Sequence, residues 1–385
     1  MPRLPMTIPS DLGAIAADLP PGVLDEEFRQ ACQRLDRYIG ALAWEVAGAL
    51  ELGPGVQPAA DALLPERNWS EAGSLALRWL LETLALYGLA EEEGSGWRLA
   101  EPRSPRTTSV ETRAEAERIT PAAAPAYEVL ARCAAALPAV LRGEQRGEDA
   151  LFGPATLGLW FDYFSNANPL YAPNNVIAGA AVARAARAGC RVLEVGGGGG
   201  SAAQAALAAL VQAGATPSAY VFTELQPAFL RRGTRAVQQA LPPAAELRSL
   251  RLDINLDPGS QGLAPGSIDV VFGVNTLHLA QDPIAALAHL RALLSPGGAL
   301  VLGELLRPGP TAPVHLELPF TLLEEYRRAP LIAGVRERPG FMSVGGWTRA
   351  LERAGFRAVE VSPAQVERCA AIYPGFYCGA LTARA

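Results

Sequence analysis

The stretch VLEVGGGGGS, Val192–Ser201, sets five consecutive glycines directly behind a short run that reads as a buried strand. Glycine costs roughly 0.5–1 kcal/mol per position in regular structure, so five together imply a special backbone path or a linker. A linker does not follow a strand this closely, and the residues beyond it, SAAQAALAALVQAG, are strong helix formers. Strand, tight loop and helix start in succession form a ligand site in an open α/β sheet. The glycines admit close backbone approach, and the first helical turn offers free N–H groups. By itself the run does not separate a dinucleotide site from a methyl-donor site or a flexible turn.

The residues that follow narrow the choice. AYVFTEL reads as the next strand, with Glu224 at its tip, where a carboxylate can accept both hydroxyls of a ribose. LRLDINLDP places Asp253 where it can accept a hydrogen bond from an adenine amino group. SIDVVFGVNTLHLAQD then predicts a strand ending at Asn275, and LRALLSPGGALVLGEL a helix, a turn and a further strand. From Cys190 onward this alternation predicts a doubly wound, mostly parallel α/β sheet.

The N-terminal part has a different texture. From Asp25 to about Leu99 the pattern is helical and ends in SEAGSLALRWLLETLALYGLAEEEGSGWRL, with Ser70 as an N-cap and a glycine turn between two short strand-like pieces. That is the outline of a winged helix. Its acidic residues Glu82, Glu91, Glu92 and Glu93 stand where phosphate contacts would need arginine, which argues against a nucleic-acid partner. The segment from Glu101, EPRSPRTTSVETRAEAERITPAAAP, reads as a mobile connection with one short helix. A second helical run leads to a boundary near residue 155. The expected domains are therefore a helical, winged-helix-like lid or dimerisation unit over 1–155 and a catalytic unit over 156–385.

Composition limits the function classes. The chain has 385 residues, a net charge of −6, and 33 basic residues that are all arginine, a usage that points to a GC-rich genome more than to a function. The acidic balance fits small-molecule chemistry better than nucleic-acid binding. Cys32, Cys133, Cys190, Cys369 and Cys378 are odd in number and never spaced CxxC, as expected of free thiols in a reducing compartment. No secretory leader pattern and no uninterrupted apolar run of membrane-spanning length is read in the sequence. The expectation is a cytoplasmic monomer or homodimer without a membrane partner.

The succession over about residues 185–310 resembles the class I S-adenosylmethionine-dependent methyltransferases, with the acidic glycine-rich loop, the ribose-binding acid, the adenine-side Asp and the turn Pro296, Gly297, Gly298. The resemblance implies a Rossmann-like seven-stranded sheet and S-adenosylmethionine as cofactor, with S-adenosylhomocysteine as product. It places Glu194, Gly196, Gly198 and Gly200 at the donor's methionine end, Glu224 at its ribose and Asp253 at its adenine, with Leu225, Ile254 and Asn275 as further donor-binding residues. ALYGLAEEEGSGWRL, LPAVLRGEQRGEDALF and the stretch 252–282 also resemble the methyltransferase domains of polyketide synthases and their free-standing relatives. GFRAVEVSP and YCGALTAR fit the strand pair that closes such sheets.

Methyl transfer to carbon or to a hydroxyl needs a base, and the chain has three histidines, His278, His289 and His315. His278 follows a strand end at the ligand-binding edge, whereas His289 sits within a helix. Glu304 falls near the end of the next strand, where it can orient an imidazole. In the resembling polyketide enzymes a His and a Glu at these two motif positions act as a pair, and Glu304→Gln is expected to do less damage than loss of His278. His315 with His278 and Glu304 or Glu317 would make a two-His-one-carboxylate metal site, but the spacing does not favour it and no metal is assigned. LWFDYFSNANPLYAPNN is an aromatic junction segment from which Tyr163 or Tyr171 could reach the donor. The expected acceptor is a small molecule or a polyketide-type acyl group on a carrier protein. A free phenolic or hydroxylated metabolite, a metal-dependent transfer, and a non-methyl-transfer reaction on the same fold are the alternatives.

Overall fold

The computed structural model describes residues 17–100, 107–153, 155–309, 314–373, 375 and 377–385. The N-terminal part opens with the long helix Glu26–Ala49, capped by the Asp25 carboxylate, which accepts from the Phe28 N–H at 2.8 Å. Strands β1 (Gly55–Pro58), β2 (Ala90–Glu93) and β3 (Gly96–Leu99) form a small antiparallel sheet in the order β1-β3-β2. The hairpin β2–β3 and the helix before it, Ser74–Leu86, agree with the sequence reading; β1 is added. Pro58 and the glycines of GPGVQP hide that strand, whose partner β3 is remote in sequence.

In its described part, from residue 107, the segment read as a mobile connection is mostly helical. Thr108 and Glu111 form a reciprocal capping box, and an 11-residue helix, Ser109–Ile119, follows. Ser109 ties it to the first helix, its N–H donating to Glu45 Oε1 at 2.7 Å and its hydroxyl to Glu45 Oε2. Residues 101–106 of that reading lie outside the described residues. The next long apolar helix, Ala124–Leu141, buries Tyr127, Leu130, Leu137 and Val140, so core packing accounts for its hydrophobicity.

The second part is built on seven strands: β4 (Arg191–Glu194), β5 (Ala219–Thr223), β6 (Glu246–Leu250), β7 (Ile268–Val274), β8 (Leu294–Leu305), β9 (Arg357–Ser362) and β10 (Cys378–Arg384). Their order is β6-β5-β4-β7-β8-β10-β9. β10 runs antiparallel between β8 and β9, and the other contacts are parallel. The chain starts in the centre at β4, winds outward to β6, and returns to lay β7 against the other side of β4. Connections therefore diverge above the carboxyl ends of β4 and β7, and a crevice opens there. Val192, Leu193, Val271, Phe272, Leu300, Val301 and Leu302 are fully buried, as expected of strands covered on both faces.

The two parts share one apolar core that runs from Phe28 and Leu80 to Phe272 and Ala380. Polar contacts reinforce the seam: Trp79 Nε1 donates to the Val314 carbonyl at 2.9 Å, and Arg338 pairs with Glu82 at 2.5 Å. The helical part is thereby docked over the segment that follows β8, on the side where the crevice opens.

Candidate active site

Alternating backbone conformation explains the five glycines. Gly196, Gly198 and Gly200 have φ of +62°, +54° and +89°, a region costly to other residues, whereas Gly197 and Gly199 lie outside it. A Cβ on Gly196 would meet Thr276 Cγ2 at 2.3 Å, and one on Gly197 would meet the Phe222 ring at 2.2 Å. Gly199 alone combines room for a side chain with a backbone outside the left-handed region, its nearest neighbour being Phe161 Cδ1 at 3.5 Å. Above Gly198 nothing lies within 4 Å of an added Cβ, so the middle of the loop faces open space.

Glu224 closes one side of this loop. Its carboxylate accepts from the Gly198 N–H at 3.0 Å and from the Gln226 N–H at 2.8 Å, and it remains partly exposed beside Leu225. Asp253 is partly exposed as well, with Oδ1 accepting from the Asn255 N–H at 2.9 Å, and Gln261 bridges its backbone. Ile254 adds a half-buried apolar surface next to it. An open glycine loop flanked by two accessible carboxylates at successive strand ends fits a donor with ribose and adenine portions.

Glu194 stands elsewhere. It is 1% exposed beneath the loop, where Tyr220 donates its hydroxyl to Oε2 at 2.7 Å and Oε1 has no hydrogen bond of good geometry. Burial pushes its carboxyl up to about 8, against the opposing effect of the Tyr220 hydrogen bond. Its carboxyl group thus supports the loop from below.

The loop after β7 joins this platform to a second cluster. Thr276 donates to the Gly196 carbonyl at 3.1 Å, and Asn275 adopts φ +49°, which Asn tolerates better than most residues. Asn275 accepts from the Leu305 N–H at 2.8 Å and donates to Asn174 Oδ1 at 3.2 Å and to the Tyr171 hydroxyl at 3.4 Å. That bend delivers His278 to Glu304. The distance from His278 Nδ1 to Glu304 Oε2 is 2.8 Å, and both residues are buried. Glu304 Oε1 accepts the backbone N–H of Leu277 at 3.0 Å and of His278 at 3.4 Å. Since these contacts make the carboxylate an acceptor, Nδ1 carries the proton and Nε2 holds the free lone pair.

Three features around the pair have no signal in the sequence. Arg336 is 1% exposed and donates to the carbonyls of His278 at 3.3 Å, Ala280 at 2.6 Å, and Gln281 and Pro330 at 3.3 Å each. It pins the turn that presents the imidazole. Phe341 and Tyr326 wall the ring at centroid distances of 4.5 and 6.0 Å. Behind them Arg307 forks onto Glu317, which also accepts the Tyr326 hydroxyl at 2.8 Å. Glu317 is thereby committed to an ion pair. The His315 side chain lies outside what the structure describes, and among the described residues no cluster of three His, Cys, Asp or Glu could hold a metal ion.

Tyr163 and Tyr171 belong to one aromatic cluster with Trp160 and Phe164, Tyr163 lying 5.6 Å from Trp160 and Tyr171 lying 5.2 Å from Phe164. Tyr171 points its hydroxyl at Asn275, toward the His278 side of the crevice, while Tyr163 is packed within the cluster. His289 is in helix Pro283–Leu293, away from this constellation.

Residues 193–300 match the family model described as a methyltransferase domain. The chain carries a class I methyltransferase domain. The donor of that family is S-adenosylmethionine, and the glycine loop with Glu224 and Asp253 has the groups to hold it. Among curated proteins, the polyketide synthase ThaQ of Burkholderia thailandensis is 30% identical over 300 residues, covering 73% of this chain and 14% of ThaQ. The highly reducing polyketide synthase ACRTS2 of Alternaria alternata is 32% identical over 173 residues, covering 44% of the chain and 7% of that protein. The methyltransferase chain thus corresponds to a small portion of these relatives. Among solved structures, the CurJ carbon methyltransferase superposes with a TM-score of 0.72 at 23% identity, covering 97% of this chain and 95% of that one. The methyltransferase domain of the citrinin polyketide synthase gives 0.71 at 18% identity, covering 91% and 88%.

Proposed function

We propose that this methyltransferase alkylates a carbon of a polyketide-type acyl intermediate presented on a carrier protein, with His278 as the base and Glu304 as its orienting partner. The observation that carries the reading is the buried His278–Glu304 hydrogen bond of 2.8 Å, tied through Thr276 to the donor loop. The relatives named as polyketide synthases, and the solved neighbours titled carbon methyltransferases, support the choice of acceptor.

When bound, S-adenosylmethionine supplies a methyl group on positively charged sulfur, already activated for displacement at carbon. The protein must then align the acceptor and take its proton. Carbon next to a thioester carbonyl is weakly acidic, so the base needs an unshielded lone pair in a dry site. Nε2 of His278 meets that need while Nδ1–H is held by Glu304. Proton uptake would create an imidazolium beside the buried carboxylate, which stabilises the charge. Arg336 keeps the turn from swinging, Phe341 and Tyr326 exclude water from the ring, and Glu224 and the glycine loop fix the donor end.

The test is mass spectrometry of a carrier-bound β-ketoacyl group incubated with the protein and deuteromethyl-labelled S-adenosylmethionine. One labelled methyl on the α-carbon is expected. A label on oxygen would replace carbon with hydroxyl chemistry, and absence of label across short and long acyl chains would reject the acceptor class.

A further inference from the structure

Helix Pro227–Ala240, PAFLRRGTRAVQQA, contains three arginines and no acidic residue. Arg231 and Arg235 are four residues apart, so like charges stack on one exposed face, an arrangement that weakens a helix. Some arginines on other helices have a carboxylate partner on the same helix, Arg29 with Glu26, Arg113 with Glu117 and Arg132 with Glu128, whereas others, such as Arg184 and Arg291, stand without one. Among the described residues Arg231, Arg232 and Arg235 make no ion pair, although the chain as a whole carries a net charge of −6.

All three line an open groove of about 550 Å³ between this helix, the start of helix Ser201–Gln212 and the aromatic segment. None of the groove's lining residues is acidic. Arg232 lies with Cζ 4.2 Å from the centre of the Phe161 ring, a cation–π contact that steadies the guanidinium at the wall. Gln204 and Gln239 add carboxamides along the groove, and the positive end of helix Ser201–Gln212 reaches it at Ser201. Forked guanidinium donors beside amides and an aromatic wall recognise phosphate on an organic group. Glu224 and Asp253 do not line the groove, and the donor loop reaches it at Gly199.

We propose that this groove binds a phosphate ester, at a site that adjoins the glycine loop at Gly199 but lies apart from the Glu224 and Asp253 side of the donor crevice. Its Phe164 wall packs 5.2 Å from Tyr171, whose hydroxyl meets Asn275 three residues before His278. The groove and the catalytic pair therefore flank one aromatic segment. Two sources present this chemistry: the phosphodiester at the base of a carrier protein's pantetheine arm, and a soluble ester such as coenzyme A. The inference does not require methyl transfer, because anion binding is measured without acceptor or turnover.

The full chain, saturated with S-adenosylhomocysteine to occupy the donor crevice, is titrated by calorimetry with coenzyme A and with pantetheine. Coenzyme A is expected to bind at low ionic strength, at least tenfold more tightly than pantetheine, and more weakly as salt rises. R231Q/R235Q should lower its affinity by about 10- to 100-fold, the loss expected for two charge-assisted contacts, with the melting temperature and S-adenosylhomocysteine affinity retained. Titration with a carrier protein identifies the source. Tighter binding of the pantetheinylated form than of the apo form, lost in R231Q/R235Q, assigns the carrier arm. Coenzyme A binding without that difference assigns a soluble ester. The proposal is overturned if neither coenzyme A nor the pantetheinylated carrier binds, or if the double variant binds both within twofold of wild type. It is also overturned if the apo carrier binds as tightly as the pantetheinylated form while coenzyme A does not bind, since the groove would then read protein acidity. Failure of S-adenosylhomocysteine to bind would count against the donor reading alone.

Discussion

Replacing Glu304 with Gln tests the catalytic geometry sharply, because the carboxylate serves two sets of donors. Oε1 accepts two backbone N–H groups, from Leu277 and His278, and Oε2 faces His278 Nδ1. A glutamine has one acceptor oxygen and one NH2 group. The backbone donors cannot turn away, so the amide oxygen is expected to take the Oε1 position and the NH2 group to face Nδ1. Nδ1 must then accept, which moves the imidazole proton to Nε2 and removes the lone pair that the acceptor needs. Restoring the active tautomer would leave buried donors facing each other, at roughly 1–3 kcal/mol for each hydrogen bond lost. With two buried donors left unsatisfied, about 2–6 kcal/mol at 1.36 kcal/mol per decade, the chemical step should slow by about 30- to 10⁴-fold. The expectation from sequence that Gln does less than loss of His278 is therefore revised: E304Q and H278A should be comparably slow, and the double variant scarcely slower than either. The assay is single-turnover methylation with donor prebound, alongside donor affinity by titration, which should change little. A slowing of E304Q below tenfold would refute the argument, as would independent, multiplicative losses in the double variant.

The loop and its support give three further expectations. G199A should be tolerated and raise stability by up to about 1 kcal/mol, since its backbone lies outside the left-handed region and an added methyl meets only ordinary van der Waals contacts, Phe161 at 3.5 Å and the Arg232 side chain at 3.9 Å. G197A should instead destabilise clearly, because the new methyl falls on Phe222; equal melting temperatures for the two would show that the loop is not held as described. E224A should weaken S-adenosylhomocysteine binding by about 10- to 100-fold, measured by calorimetry, through loss of the ribose acceptor and of the Gly198 N–H contact; unchanged affinity would displace the donor from this crevice. Glu194 has its folded pKa raised to about 8 from 4.5, so its contribution to stability is present below 4.5 and is lost as the pH rises to about 8. E194Q should therefore match wild type in thermal melts near pH 4.5, gain steadily on it up to pH 8, and hold that advantage above; a constant difference at all pH values would argue against a neutral buried Glu194.

Sequence alone carried the architecture of the second part because its signals are local. A strand, its glycine loop and the following helix are contiguous in VLEVGGGGGSAAQAALAAL, and burial on both faces writes each central strand as an unbroken apolar run. The acid at the end of β5 and the histidine after β7 were legible for the same reason, each standing at a fixed offset from a strand end. The tertiary structure decided what depends on residues far apart in the chain. It set the glycine alternation, since Thr276, Phe222 and Ala236 determine which positions exclude a side chain. It put Glu194 under the loop with Tyr220, and Tyr171 against Asn275, 104 residues away. It also brought Arg336 onto the His278 turn from 58 residues downstream and paired Arg307 with Glu317 behind the aromatic wall. A buried arginine and a buried carboxylate look in sequence like solvated charges, because what makes them structural is the set of carbonyls and cations that folding places around them.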